Sequence, residues 1–181
     1  QFNLETLGRR VSGIGPGTLT IIFGRPEVGK TAFWVNMVAG PNGFLGQNAK
    51  VHCICNEEPG CRPKARMMMA WSDIGNSSVL ASFNDTEEIS NDKKELLGEM
   101  KALWHPIMHN LVMPDHVVDW DMNSLDAYIA EHKPDIVVVD QLDKMGIPGT
   151  FARTDEKLRA IYTGAREIAK RRNCAIVAVS Q

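Results

Sequence analysis

The sequence GRPEVGKT, Gly24 to Thr31, decides the fold because it has the spacing G-x-x-x-x-G-K-T of a phosphate-binding loop. That motif is meaningful only between a strand and a helix. Residues 18–23 form a β-branched apolar run that predicts a buried strand, and residues 32–39 predict a helix that begins at the loop. In this context a chance match in a turn is the weaker explanation. We therefore expect the chain to bind a nucleoside triphosphate.

Each part of this loop has a predicted role in holding phosphate. The glycines let successive backbone N–H groups curl around phosphate oxygens, and the helix N-terminus adds the positive end of its dipole. Lys30 can reach the β- and γ-phosphates, and the Thr31 hydroxyl can ligate Mg²⁺. The predicted nucleotide-binding residues are Gly24, Arg25, Pro26, Glu27, Val28, Gly29, Lys30, Thr31 and Ala32.

Length and composition are those of one globular domain. The chain has 181 residues, of which 44% are hydrophobic and 23% are charged, and both fractions are ordinary for a soluble protein. No apolar run approaches the length that spans a membrane, no signal peptide is visible, and the four cysteines do not suggest a disulfide framework. These features predict a cytosolic protein. The net charge of −2 gives no global signal for nucleic acid, so any such contact must be local.

Strands and helices alternate along the whole chain, which predicts an α/β fold with a mainly parallel sheet and helices on both faces. Beyond the first strand and helix, the predicted strands are 50–55, 110–113, 135–140 and 175–179. The predicted helices are 62–71, 90 to about 103 with Ser90 as its cap and Leu96, Leu97, Met100 and Leu103 inside, 125–131, and 155–171. Residues 75–92 are polar and acidic and predict an exposed connection.

Polar residues follow three of the predicted strands, at the sheet edge where ligands of parallel α/β folds gather. Asp140 ends the apolar run 136–139 and predicts a Walker B carboxylate for Mg²⁺. Glu57 and Glu58 follow the second strand, where a glutamate can activate water near the γ-phosphate. The side-chain amide of Gln181, after the last strand, can hydrogen-bond that phosphate. The alternative for each residue is an ordinary solvated strand end.

Two weaker signals concern nucleic acid and metal. Residues 153–172 carry a local excess of Lys and Arg that could meet a phosphate backbone, and a solvated helix face is the alternative. The loop 144–153 is the better candidate because its glycines and proline predict an exposed turn after Asp140. Cys53 and Cys55 alternate along a strand and are expected to be buried apolar groups, and the cysteine and histidine spacing matches no zinc pattern.

With these elements in order, the chain resembles the RecA-like ATPase domain of DnaB-type replicative helicases, the superfamily 4 hexameric helicases, over nearly its whole length. Residues 13–20 resemble the segment that leads into the first strand in that family, and Arg25-Pro26 resembles the residues that are usual there within the loop. Glu57, followed nine positions later by Arg66, resembles the family's strand-end glutamate and the arginine of its next helix. The remaining matches are Asp140-Gln141-Leu142-Asp143, in the place of aspartate-tyrosine-leucine-glutamine, and the ending Val179-Ser180-Gln181.

The chain departs from the family pattern at two places. Gln141 stands where the family usually has an aromatic residue, and Glu57-Glu58 is a doubled acid, as in phage and recombinase-like relatives, which favours a phage-type member. The family's arginine finger and second DNA-binding loop follow the serine-glutamine pair. Because the chain starts at Gln1 and ends at Gln181, we expect residues 1–181 to be the RecA-like core of a longer protein, truncated at both ends.

The resemblance implies a DNA helicase motor that uses ATP and Mg²⁺ as cofactors, with hydrolysis between the subunits of a hexameric ring that translocates on single-stranded DNA during replication. It also implies that the protein acts in the cytoplasm of a bacterial or phage-infected cell and that primase is a candidate partner. In the implied roles, Lys30 neutralises phosphate charge, Thr31 and Asp140 hold Mg²⁺, Glu57 activates water and Gln181 senses the γ-phosphate. The implied DNA-binding loop runs from Lys144 to Arg153, and these two residues are the candidates for the DNA contact.

Other functions are compatible with the same core. One alternative is a RecA- or KaiC-like recombination or signalling ATPase that does not unwind DNA. Another is a non-motor nucleotide-binding scaffold or a small-molecule kinase, although a kinase needs an arginine-bearing lid that no obvious segment supplies. Because the implied arginine finger would come from outside residues 1–181, we expect this chain alone to bind nucleotide and to hydrolyse it weakly.

Overall fold

A computed structural model describes residues 13–40, 42–56, 61–72, 91–114 and 119–181 of the protein. Within these ranges, five strands form one sheet in the order β1-β5-β4-β2-β3, and all neighbouring strands are parallel. The strands are β1 (Leu19–Phe23), β2 (Val51–Cys55), β3 (Leu111–Val112), β4 (Ile136–Asp140) and β5 (Ala175–Ser180). The predicted parallel sheet is confirmed.

Helices cover both faces of this sheet, as predicted. They are α1 (Lys30–Ala39), α2 (Cys61–Ser72), α3 (Asn91–Met108), α4 (Met122–His132) and α5 (Thr154–Arg172), and a 3₁₀ turn spans Leu142–Lys144. Buried residues of α1, α2 and α3 share one apolar cluster, and those of α4 and α5 share the other. No helix in the described ranges has both the length and the apolar character needed to cross a membrane.

The strands supply both clusters because successive side chains of a strand point to opposite faces. In β4, Val138 belongs to the cluster under α1, whereas Val137 and Val139 belong to the cluster under α5. Cys53 and Cys55 are buried together on the α1 face, as predicted, and burial raises the pKa of the Cys53 thiol. Among the described residues, no group of three or more His, Cys, Asp or Glu side chains could hold a metal ion.

Two predictions about burial were wrong. In β1, Ile21 is 42% exposed and Phe23 is 74% exposed, because the described residues pair this strand only with β5 and leave it at the sheet edge. Helix α3 continues past the predicted end to Met108, and Leu103 is half exposed because its neighbour Trp104 faces the core instead. Residues 73–90, which hold Ser90 and most of the predicted connection, and the side chains of Leu96, Leu97 and Met100 lie outside the described part of the chain.

Arginines at the end of α5 tie this helix to α4. Arg172 donates two hydrogen bonds to the carboxylate of Asp126, at 2.8 and 2.9 Å, and Arg171 approaches the same carboxylate at 3.0 Å. The hydrogen bonds from Arg172 lower the pKa of Asp126. Two of the basic residues considered for nucleic-acid binding therefore join two helices on the same face of the sheet.

A buried histidine lies near the start of β2. His52 of β2 is 2% exposed, and its Nδ1 is 2.8 Å from the hydroxyl of Tyr128. The ring of His132 packs edge-on against Tyr128, and Lys50 donates a hydrogen bond to the backbone oxygen of His132. Burial, with smaller contributions from Lys50 and His132, lowers the pKa of His52 from 6.5 to about 4.

We expect acid to destabilise the protein through His52. Between pH 6.5 and about 4 the unfolded chain protonates this imidazole and the folded chain does not, so the free energy of unfolding falls as the pH decreases through this window. The full shift corresponds to at most about 3 kcal/mol. Urea unfolding at about pH 7 and about pH 5 measures the difference.

The matched control is the exposed His105 in α3. His52→Gln should reduce the loss of stability between the two pH values, whereas His105→Gln should leave it unchanged. If both variants lose stability as the unmodified chain does, groups other than His52 cause the acid sensitivity.

Candidate nucleotide-binding site

The loop between β1 and α1 has the backbone shape of an anion cradle. Gly24 N donates a hydrogen bond to the backbone oxygen of Ser180, 3.4 Å away, which attaches the loop to the end of β5. Glu27 has φ 62° and Gly29 has φ 89°, so left-handed residues alternate within the turn. Such alternation points backbone N–H groups toward a common centre. The conformation of Gly29 favours a residue without a Cβ atom, which explains the glycine there.

Helix α1 begins at this loop with backbone N–H groups that have no partners inside the helix. Its first hydrogen bond runs from Phe33 N to Gly29 O, at 2.9 Å, and helix geometry leaves the N–H groups of residues 30–32 without partners inside the helix. The N-cap residue, Gly29, has no side chain that could cap this end, and the first turn holds no acidic residue. The positive end of the helix dipole is therefore available to an anion.

The ammonium group of Lys30 lies over the loop. Its Nζ donates to Gly24 O at 2.7 Å and to Arg25 O at 2.8 Å. A cation in the first turn of a helix is unfavourable unless negative charge compensates it, because it faces the positive end of the dipole. Its position therefore suits a loop that binds an anion.

The strand order brings the other predicted residues to this loop. β5 lies between β1 and β4, so Gln181, which follows β5, lies between the loop after β1 and Asp140 at the end of β4. Asp140 is only 3% exposed, and its Oδ2 accepts a hydrogen bond from Trp34 Nε1 at 3.3 Å. One cleft of about 510 Å³ is lined by Pro26, Glu27, Gly29, Lys30, Thr31, Ala32, Arg66, Asp140 and Gln181.

Most of the residues predicted for the nucleotide and metal site thus line this cleft. Gly24 and Arg25 contribute the backbone oxygens that accept hydrogen bonds from Lys30, and the Val28 side chain is 63% exposed. Glu57 and Glu58 lie outside the described residues. The residue before them, Asn56, donates from Nδ2 to the backbone oxygen of Gln141 at 3.4 Å, which connects the end of β2 to the end of β4.

Sequence reasoning missed two residues at the site. Arg66 of α2 lines the cleft and adds a positive charge to it. The available signal was its position nine residues after Glu57, which the family resemblance had already singled out. Trp34 contacts Asp140 from α1, but an aromatic residue on an apolar helix face predicts only a core position. No feature of the sequence pointed to its hydrogen bond.

The candidate DNA-binding loop, residues 144–153, begins at Lys144, the last residue of the 3₁₀ turn. Met145 is buried, and Gly146 N donates to Trp120 O at 2.9 Å, so the start of the loop is attached to the segment before α4. Most of residues 146–153 are exposed. Lys144 is exposed, and Arg153, with its side chain 72% exposed, pairs with Asp155 at 2.9 Å.

Solved structures of other proteins have a similar fold. A DnaB-like replicative helicase, whose structure was described with its interactions with primase, superposes with a TM-score of 0.82 at 16% identity over 100% of this chain and 42% of that chain. The ATPase domain of G40P superposes with a TM-score of 0.76 at 19% identity, over 93% of this chain and 58% of that chain. The RadB recombinase superposes with a TM-score of 0.50 at 17% identity, over 93% of this chain and 63% of that chain.

At these identities the structural similarity establishes the fold, which is the predicted RecA-like arrangement. The chain spans less than two thirds of each of these proteins. The family assignment comes from the sequence, because the family model of the DnaB-like helicase C-terminal domain matches residues 1–181. The chain therefore belongs to the DnaB-like helicase C-terminal domain family.

Proposed function

We propose that this domain is the ATPase motor of a DNA helicase. It binds Mg-ATP in the cleft beside Lys30, and the protein that contains it hydrolyses ATP between the subunits of a hexameric ring to translocate on single-stranded DNA during replication. The observation that carries the proposal is the meeting of the phosphate-binding loop, Asp140 and Gln181 in one cleft, in a chain of this family.

The cleft suits a nucleoside triphosphate in size and charge. Its volume of about 510 Å³ lies within the usual range for small-molecule sites. Uncapped N–H groups, Lys30 and Arg66 supply positive potential for the phosphates. The buried carboxylate of Asp140 and the hydroxyl of Thr31 are both oxygen ligands, which Mg²⁺ prefers, and both line the cleft.

Each residue has one task in this proposal. Lys30 and the loop N–H groups bind the β- and γ-phosphates, and Thr31 and Asp140 would hold the metal. Bound Mg²⁺ supplies charge that stabilises the transferring phosphoryl group. Glu57 accepts a proton from the attacking water, and the amide of Gln181 donates a hydrogen bond to the terminal phosphate.

In the ring, a neighbouring subunit is expected to add an arginine to the ATP site of this domain. In P-loop enzymes, an arginine supplied by a neighbouring molecule is worth about 10³–10⁵ in rate. We therefore expect the isolated 181-residue chain to bind nucleotide and to turn it over slowly, with faster turnover in an assembled ring. The longer protein is also expected to have primase as a partner, since the similar DnaB-like helicase interacts with primase.

The loop from Lys144 to Arg153 provides the test of the DNA contact. Replacing both Lys144 and Arg153 by Ala in the longer protein should weaken binding to single-stranded DNA. The slope of log affinity against log salt concentration should fall by about 0.7 for each phosphate that the loop no longer neutralises. Fluorescence anisotropy with a labelled oligonucleotide at several salt concentrations measures both effects, and stimulation of ATP hydrolysis by DNA should decrease in parallel.

Lys133→Ala is the matched control. Lys133 is exposed and follows α4, before β4 begins, so it lies at the opposite end of the sheet from the loop. This variant should keep the original salt slope. An unchanged slope in the double variant would remove the loop from the proposed DNA path.

The alternative is a recombination ATPase with the same core. The similarity to RadB shows that recombinases share this fold, but the family match of the whole chain is to the helicase domain. Electron microscopy of the longer protein with ATP and single-stranded DNA distinguishes the two functions. Closed rings support the helicase, and continuous filaments on DNA would support the recombinase.

A further inference from the structure

A tryptophan in the core contacts the carboxylate proposed to bind Mg²⁺. Trp34 is 0% exposed and belongs to the apolar cluster beneath α1, α2 and α3. Its indole Nε1 lies 3.3 Å from Asp140 Oδ2, in a contact that joins α1 to the end of β4. Most buried indole N–H groups in proteins have an acceptor, and a buried carboxylate needs donors, so the two groups are suited to each other.

The position of Trp34 along the chain gives this contact its importance. Trp34 comes three residues after Thr31 and lies in the first turns of the helix that begins at the phosphate-binding loop. Its backbone therefore moves with the residues that line the cleft, while its side chain reaches the carboxylate on another strand. The indole thus contacts both of the elements that would share the metal: it belongs to α1 and donates to the end of β4.

We propose that Trp34 is a positioning residue, whose indole N–H holds the carboxylate of Asp140 in the orientation in which it faces the nucleotide cleft. The inference rests on the proposed function, because it takes Asp140 as a metal ligand. Trp34 does not touch nucleotide or metal in this proposal. It acts through Asp140, as groups that hydrogen-bond to metal ligands do in other proteins, where their loss costs about 10–100-fold in metal affinity.

The sharpest test removes the N–H and keeps the shape. In the 181-residue chain, Trp34 is replaced by 3-benzothienylalanine, which has sulfur in place of the indole N–H. Mg²⁺ is then titrated into protein saturated with a non-hydrolysable ATP analogue, and the binding of the analogue in EDTA is measured by calorimetry. We expect the half-saturating Mg²⁺ concentration to rise about tenfold or more, while the metal-free affinity changes less than about twofold.

The same replacement at Trp71 is the control. Trp71 also donates an indole hydrogen bond, to the backbone oxygen of Leu103 at 2.9 Å, but it joins α2 to α3 away from the cleft. Its replacement should leave the Mg²⁺ requirement unchanged. A simple loss of packing at Trp34 would weaken metal-free and metal-dependent binding together, and that result would overturn the positioning role.

Asp140→Asn separates the inference from the proposed function. If this variant raises the Mg²⁺ requirement and the Trp34 replacement does not, the inference is wrong and the proposed function stands. If Asp140→Asn also leaves the Mg²⁺ requirement unchanged, Asp140 is not the metal ligand. Both the proposed metal site and the role of Trp34 then fall.

Discussion

Lys30→Ala should reduce the affinity of the chain for Mg-ATP by about 10²-fold or more, because it removes a charged donor to two phosphate groups. The variant would also lack the hydrogen bonds from Nζ to Gly24 O and Arg25 O. Calorimetry with a non-hydrolysable ATP analogue measures the change. Binding equal to that of the unmodified chain would contradict the assignment of the loop.

The stability of this variant is expected to change little, and this separates a binding defect from unfolding. Lys30 lies in the first turn of α1, where a positive charge opposes the helix dipole by about 0.3–1 kcal/mol. Its removal relieves that repulsion and offsets the absence of the two hydrogen bonds. Lys101→Ala, at an exposed position of α3, is the control for loss of a lysine and should keep full affinity.

Glu57→Gln, made in the longer protein that forms the ring, should lower the rate of ATP hydrolysis by about 10²-fold or more, as expected when a positioned general base is lost. The amide keeps the size of the side chain and cannot accept the proton of the attacking water. Nucleotide binding should persist, since the phosphate contacts come from the loop and from Lys30. Turnover is measured by phosphate release, and binding by calorimetry.

Glu58→Gln is the natural control because the two acids are adjacent in the sequence. It should retain most of the hydrolysis rate. The opposite pattern, with turnover kept in Glu57→Gln and lost in Glu58→Gln, would move the role of the base to Glu58. Both glutamates lie outside the described residues, so the comparison of variants assigns the base.

Local sequence patterns were sufficient to predict the elements that form the site. The apolar run at 136–139 is long and β-branched enough to predict β4, and the glycine pattern of the loop determines how α1 begins. Because the strands are parallel, the carboxyl ends of all of them lie at one edge of the sheet. The convergence of Asp140 and Gln181 on the loop was therefore predictable from the sequence.

Features that depend on partners distant in sequence were not predictable in the same way. The exposure of Phe23 reflects the position of β1 at the edge of the described sheet, and a strand's sequence does not encode its place in the order. The bond from Trp34 joins residues 106 positions apart. Helix α3 was predicted to end at about Leu103, whereas it continues through Pro106 to Met108 and buries Trp104, although a proline inside a helix is unfavourable.

The place of β5 in the sheet limits how the domain can move during its catalytic cycle. All six of its residues are buried, and it is paired with β1 on one side and β4 on the other. A strand held in this way cannot slip along its axis without breaking two hydrogen-bonded ladders at once. Under the proposed function, we therefore expect loss of the terminal phosphate to be answered by rotation of the Gln181 side chain, and the larger displacements of the ring by rigid-body rotation of whole domains.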